Sequence, residues 1–162
     1  HRIPTNGGPT TRGLEHIDAW LGESKWDVIH FNWGLHDLKQ MADRKDPKQP
    51  DRDLRQVPPE EYEKNLSALV TRLKKTGAKL IWATTTPVPE GSAGRTPGDA
   101  AKYNELAAKI MAAEGVAIDD LYSVAKPQLE SIQLPGNVHF KPAGSQALAV
   151  KVAESINAAL PR

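Results

Sequence analysis

The chain has 162 residues, 39% apolar and 25% charged, which is the make-up of one globular domain with a sizeable core. Lys plus Arg total 21 against 20 for Asp plus Glu, so a net charge of +1 supplies no basic field to hold a nucleic acid. Cysteine is absent, which excludes disulfides, a cysteine nucleophile and thiolate metal sites, and no apolar run approaches the roughly 20 residues of a membrane span. The first residue is His1 rather than an initiator methionine, and the chain reads as processed, excised or truncated at that end.

Residues 2–4 give only a hint of a strand. A helix is predicted over 10–22, with Leu14, Ile17 and Leu21 on one face and Gly22 as its stop. Residues 26–33 carry Val28, Ile29, Phe31 and Trp33; this β-branched and aromatic run is too short for a core helix and reads as a strand. Segment 38–58 holds ten charged residues and three prolines with no apolar period. It is expected to be an exposed loop beside the mouth of any site, either a solvated insertion or a lid. Pro58-Pro59-Glu60-Glu61 suits the first turn of a helix over 59–76, where Tyr62, Leu66, Leu69, Val70 and Leu73 form a stripe that ends before Gly77. A strand over 79–86 is stopped by Pro87. The helix over 99–114 takes Asp99 as its cap, turns Leu106, Ile110 and Met111 inward and stops at Gly115. A short strand over 116–119 and a last helix over 143–159, burying Leu148, Val152 and Ile156, complete the chain.

Strands alternating with helices predict an α/β domain spanning 1–162: a parallel sheet of about four strands covered on both faces. Ligands of such sheets bind beyond the carboxyl ends of the strands, which directs attention to loops 32–38, 84–98 and 119–122.

Three places in the sequence carry groups fit for chemistry. Asn6-Gly7-Gly8-Pro9-Thr10-Thr11-Arg12-Gly13 is a glycine turn opening a helix, either an anion-binding set of backbone N–H groups or a plain strand-to-helix turn. Asn32-Trp33-Gly34-Leu35-His36-Asp37 ends the best strand; it delivers His36 and Asp37 to the binding edge, or Asp37 merely caps backbone amides. Gly136-Asn137-Val138-His139-Phe140-Lys141-Pro142-Ala143-Gly144 feeds the last helix, and His139 there is a general base or a structural histidine. His16, His30, His36, Asp37 and His139 also offer metal-ligand atoms, but no tight ligand spacing such as HExxH occurs and no metal is assigned.

Taken together, the glycine turn, the strand followed by Gly-x-x-Asp and the late Val-His-Phe-x-Pro-x-Gly resemble the SGNH/GDSL hydrolases over nearly the whole chain. The resemblance implies a three-layer α/β/α sandwich with flavodoxin-like strand order, and cleavage of esters, often acetyl esters, without a metal or other cofactor. It implies that the Gly8 N–H contributes to an oxyanion hole and that His139 is the catalytic base. His36 falls where the family has Asn; a neutral imidazole N–H can donate to an oxyanion too, and Asp37 completes the motif. The family's Asp three residues before the His is Gly136 here, and Asn137, two before, cannot supply a carboxylate.

The family's serine lies in a Gly-Asp-Ser segment after a first strand, ahead of the glycine turn, whereas this chain starts seven residues before Gly8. The chain is therefore expected to be an N-terminally truncated relative, lacking the first strand and the nucleophile. The gap so left is expected either to close between residues 2–4 and 26–33 or to be filled by a segment of a second copy in a homodimer. Thr10, Thr11, Ser123, Ser131 and Ser145 are read as cap or surface residues, and water activated by His139 is the simpler nucleophile. The leading expectation is an esterase of small acyl or aryl esters. The alternative is a non-catalytic carbohydrate- or acyl-binding module, with Trp33 and loop 84–98 lining a groove, or an inactive fragment.

Overall fold

Three of the apolar runs pair in the computed structural model, which describes residues 1–42, 45, 48 and 53–161. β1 (Val28–Phe31), β2 (Lys79–Ala83) and β3 (Ala117–Asp119) form a parallel sheet in the order β1-β2-β3. Ile29 stands opposite Leu80, and Trp82 stands between Phe31 and Ile118. Each crossover is a helix, as parallel pairing requires. α2 (Pro59–Lys74) joins β1 to β2, and α3 (Asp99–Glu114) joins β2 to β3. α1 (Thr10–Leu21) precedes the sheet; α4 (Leu121–Ala125), a 3₁₀ turn over Lys126–Gln128, α5 (Leu129–Ile132) and α6 (Pro142–Ala159) follow it. No helix among the described residues is long and apolar enough to cross a membrane.

Side-chain alternation along the strands sorts the two faces of the sheet. Phe31, Leu80 and Trp82 point into one core with Ile17 and Leu21 of α1, the Tyr62, Leu66, Leu69, Val70 and Leu73 stripe of α2, and Tyr103, Ala107, Ile110 and Met111 of α3. α6 lies on the other face, touching all three strands as well as α4 and α5. The architecture is thus the expected α/β/α sandwich. Two buried tyrosines tie this core to the carboxyl-end loops: Tyr62 Oη donates to the Trp33 carbonyl at 2.9 Å, and Tyr103 Oη to that of Val57 at 2.6 Å. A buried hydroxyl without such a partner would carry a desolvation penalty.

Several sequence expectations need correction. Residues 2–4 form no strand, because a three-residue segment ending in Pro4 has only two amide donors with which to hold a ladder. The paired strands among the described residues are therefore three rather than about four. Leu14 is 39% exposed, since the buried stripe of α1 runs through Thr10, Gly13, Ile17 and Leu21. Asp99 does not cap α3; Gly98, at φ +88°, holds that position, and Asp99 is the first helical residue, paired with Arg55 at 3.3 Å. Leu148, Val152 and Ile156 are only half-buried, because α6 has sheet beneath it but only the short α4 and α5 beside it. Segment 38–58 is not solvated at its ends. Leu38 and Val57 are fully buried, and Gln40 bridges Arg55 antiparallel, with Met41 N donating to Leu54 O at 2.8 Å and Gln56 N to Lys39 O at 2.8 Å. Its middle, where a lid or an insertion would be decided, falls at residues 43, 44, 46, 47 and 49–52, outside the described residues.

Candidate active site

The glycine turn is built around positive φ. Gly8 sits at φ +64°, and its backbone N–H donates to Asn6 Oδ1 at 2.9 Å. The helix that follows has no side-chain cap of its own, because Pro9 occupies the cap position. A carboxylate 27 residues away supplies the acceptor instead: Asp37 Oδ1 takes the Thr10 N–H at 2.7 Å and the Thr10 hydroxyl at 2.6 Å. Asn65 Nδ2 donates to the same hydroxyl oxygen at 3.2 Å. Asp37 is fully buried, and burial raises its pKa although the Thr10 bonds work against that rise. Its second oxygen, Oδ2, has no hydrogen-bond partner. Asp37 thus binds the glycine turn to the end of β1 and does not face solvent.

Its neighbour His36 is half-buried in the turn that starts at Gly34. A Cβ on Gly34 would lie 2.2 Å from Thr85 Oγ1, and φ there is +152°, so only glycine allows the chain to turn this close to β2. Burial lowers the His36 pKa, and the positive charges of Arg95 and Lys39 lower it further. The ring is therefore neutral near pH 7, with one N–H donor and one lone pair.

His139 is exposed, on a tight hairpin between α5 and α6. The hairpin is closed by the bridge between Gln133 and Phe140, by Leu134 N donating to His139 O at 3.0 Å and by Asn137 N donating to Leu134 O at 3.2 Å. Gly136 takes φ +59°. The His139 ring nonetheless has an acceptor: Nδ1 lies 2.7 Å from Asn137 Oδ1, which also accepts the His139 backbone N–H at 3.0 Å.

Loop 84–98 touches both histidine loops. Arg95 Nε donates to Leu35 O at 2.9 Å, and Gln40 N to Gly94 O at 2.6 Å. Toward the His139 hairpin, Gln133 Nε2 donates to Pro87 O at 3.2 Å, and a Cβ on Gly91 would stand 3.6 Å from Gly136 Cα. A continuous set of contacts thus runs from the glycine turn through Asp37 and His36, across loop 84–98, to the hairpin of His139.

The remaining candidates lie elsewhere. Trp33 is 7% exposed, packed beside Phe31 and against Gly13, so it does not line a groove; the close approach of α1 buries its ring. Thr10 is committed to Asp37, and Ser123, Ser131 and Ser145 are exposed positions in α4, α5 and α6. His16 lies against the Trp20 ring, and His30 Nε2 is 2.9 Å from the buried Asp119 on the α6 face of the sheet. A cavity of about 430 Å³ opens at the amino ends of β2 and β3 beside Lys79 and Val116. Another of about 330 Å³ lies against Trp82, Asn104, Asp120 and Tyr122. Sequence reasoning missed the acceptor role of Asn137 and the bridging role of Arg95. The first was findable, because an Asn side chain in a turn commonly accepts from the backbone N–H two residues on, which here is that of His139. The second rests on a contact 60 positions apart.

Comparison with known proteins gives a consistent picture. Residues 5–147 match the family described as GDSL-like Lipase/Acylhydrolase. No curated protein matches the chain in sequence. A lipase/acylhydrolase from Enterococcus faecalis superposes with a TM-score of 0.77 at 19% identity, over 96% of this chain and 73% of that one. An acetylxylan esterase from Geobacillus stearothermophilus gives 0.73 at 18% identity, over 93% and 68%. A GDSL-like lipase from Bacteroides thetaiotaomicron gives 0.70 at 15% identity, over 96% and 74%. A catalytic mutant of the Geobacillus esterase has alanine in place of a serine. At these identities the likeness is one of fold.

Proposed function

The chain belongs to the GDSL-like lipase/acylhydrolase family, and from that premise we propose that it hydrolyses small carboxylic esters, with His139 as general base. The observation that carries this reading is the single loop, 84–98, that ties the His36 turn to the His139 hairpin at the carboxyl end of the sheet. Thr10 is held by Asp37, and Ser123, Ser131 and Ser145 are exposed helix positions, so the proposal takes water as the attacking group. His139 takes a proton from that water as its oxygen bonds to the ester carbonyl carbon. The carbonyl oxygen becomes an oxyanion, which accepts from the Gly8 N–H and from the neutral His36 ring. Gly8 is engaged by Asn6 in the resting site, and a developing charge competes well with a neutral amide oxygen for that N–H. Collapse of the tetrahedral species breaks the bond to the leaving oxygen, which recovers the proton from His139. No acyl-enzyme forms.

Activated aryl esters of short acids are the substrates of choice, because a good leaving group tolerates a site without a positioned nucleophile. The test is turnover of an aryl acetate by the wild-type chain and by His139→Ala. The proposal expects the variant to lose about 10²-fold or more, the lower end of what a general base contributes. Unchanged turnover would overturn it and favour the second reading, a non-catalytic carbohydrate- or acyl-binding module. The observation that favours that second reading is that the Gly8 N–H is already satisfied by Asn6.

A further inference from the structure

We propose that Asn137 is the positioning residue for His139, a neutral amide holding the ring proton on Nδ1 and leaving Nε2 as the basic nitrogen. The inference rests on the reading of His139 as a base but concerns a different residue and has its own observable. Two distances fix where the ring proton sits. The His139 backbone N–H is 3.0 Å from one side-chain atom of Asn137, and a backbone N–H can only donate. That atom is therefore the amide oxygen, which fixes the orientation of the side chain. An amide oxygen can only accept, and His139 Nδ1 lies 2.7 Å from the same oxygen. Nδ1 must then carry the hydrogen, and in the neutral ring the lone pair lies on Nε2.

The local sequence explains why this position does the work. Leu134-Pro135-Gly136-Asn137 closes a turn, with Asn137 N on Leu134 O at 3.2 Å. Proline followed by a glycine at φ +59° is the pattern of a tight turn whose third residue needs positive φ. Gly136 serves that turn and has no side chain to offer the ring. The acceptor has moved one position along, to a residue whose Oδ1 reaches both the amide and the ring of His139. Three consecutive residues thus orient the imidazole against its own backbone, with no help from the sheet. The trade-off is electrostatic: an amide fixes the tautomer as a carboxylate does, but adds no negative charge to stabilise the imidazolium.

The experiment is ¹⁵N NMR of the histidine rings in the full chain, above the pH at which they titrate, combined with kinetics on an aryl acetate. In the wild type, His139 is expected to show a protonated Nδ1 and a bare Nε2. In Asn137→Ala the ring should revert to the tautomer mixture of a free imidazole, and kcat should fall about tenfold or more with KM little changed, a part of the roughly 10²–10⁴-fold a general base contributes. Asn137→Asp keeps an acceptor for both N–H groups and should keep the Nδ1–H tautomer and restore turnover. A wild-type ring protonated on Nε2, or an Asn137→Ala protein with unchanged tautomer and unchanged kcat, overturns the inference. If His139→Ala is also without effect, the hydrolase reading falls separately, while the ring spectrum still decides where the proton sits. Should Asn137→Ala fail to fold, the wild-type and Asn137→Asp spectra decide the matter alone.

Discussion

Replacing Asp37 tests the joint that brings the glycine turn to the end of β1. In Asp37→Ala, the Thr10 N–H and hydroxyl lose the acceptor they hold at 2.7 and 2.6 Å in a fully buried position. An orphaned buried donor costs about 1–3 kcal/mol. The hydroxyl keeps its bond from Asn65, so the combined loss is expected near 2–5 kcal/mol. Asp37→Asn is the control: its amide oxygen still accepts from Thr10, and no charge is buried. Urea unfolding followed by tryptophan fluorescence reads the difference as a shift in midpoint at constant slope. The sign with pH is also fixed. Burial raises the folded-state pKa of Asp37 above its unfolded value of 3.8, so the native state binds that proton more tightly. The stability this confers is complete below the unfolded value and is lost as pH rises through the folded one. Asp37→Asn should therefore gain on the wild type as pH rises across that window. If Asp37→Ala is as stable as Asp37→Asn at every pH, Asp37 does not hold the turn and the reasoning fails.

The same contacts make further predictions. His36 should titrate below the ordinary imidazole value of 6.5, and Arg95→Ala should move its midpoint upward by removing a positive neighbour; an unchanged or lower midpoint by NMR contradicts this. A serine-directed fluorophosphonate should leave the intact mass unchanged, whereas one stoichiometric adduct refutes direct attack by water. β1 pairs on one side only among the described residues, and Val28, Ile29 and His30 are half-buried, so the chain is expected to self-associate through that edge. Sedimentation velocity over a concentration range should show a dimer; a monomer throughout contradicts it.

The sheet strands and α2 were legible because length and period leave little choice: a 3.6-residue apolar stripe such as Tyr62 to Leu73 has one face to bury. The depth to which α6 is buried is not legible in its sequence. Leu148, Val152 and Ile156 keep the same spacing whether their face is covered or half-open, and coverage is decided by neighbours the pattern does not encode. Asp99 before a helix reads as a cap, yet its carboxylate is claimed by Arg55, 44 positions away. Tyr103 has no local signature, because its role is a bond to the Val57 carbonyl, again a long-range pairing. The site follows the same rule. His36, Asp37 and His139 were named because of their residue types, whereas Asp37's commitment to Thr10 and Arg95's span between loops are products of the fold.

The central claim is that Gly8, His36 and His139 address one carbonyl. It is tested most directly by titrating the ¹⁵N-labelled chain with a non-covalent aryl phosphonate, a tetrahedral mimic of the attacked ester. The Gly8 amide and both ring signals should move together and saturate at one dissociation constant. Saturation at one group with the others unmoved would place them in separate environments and contradict the account.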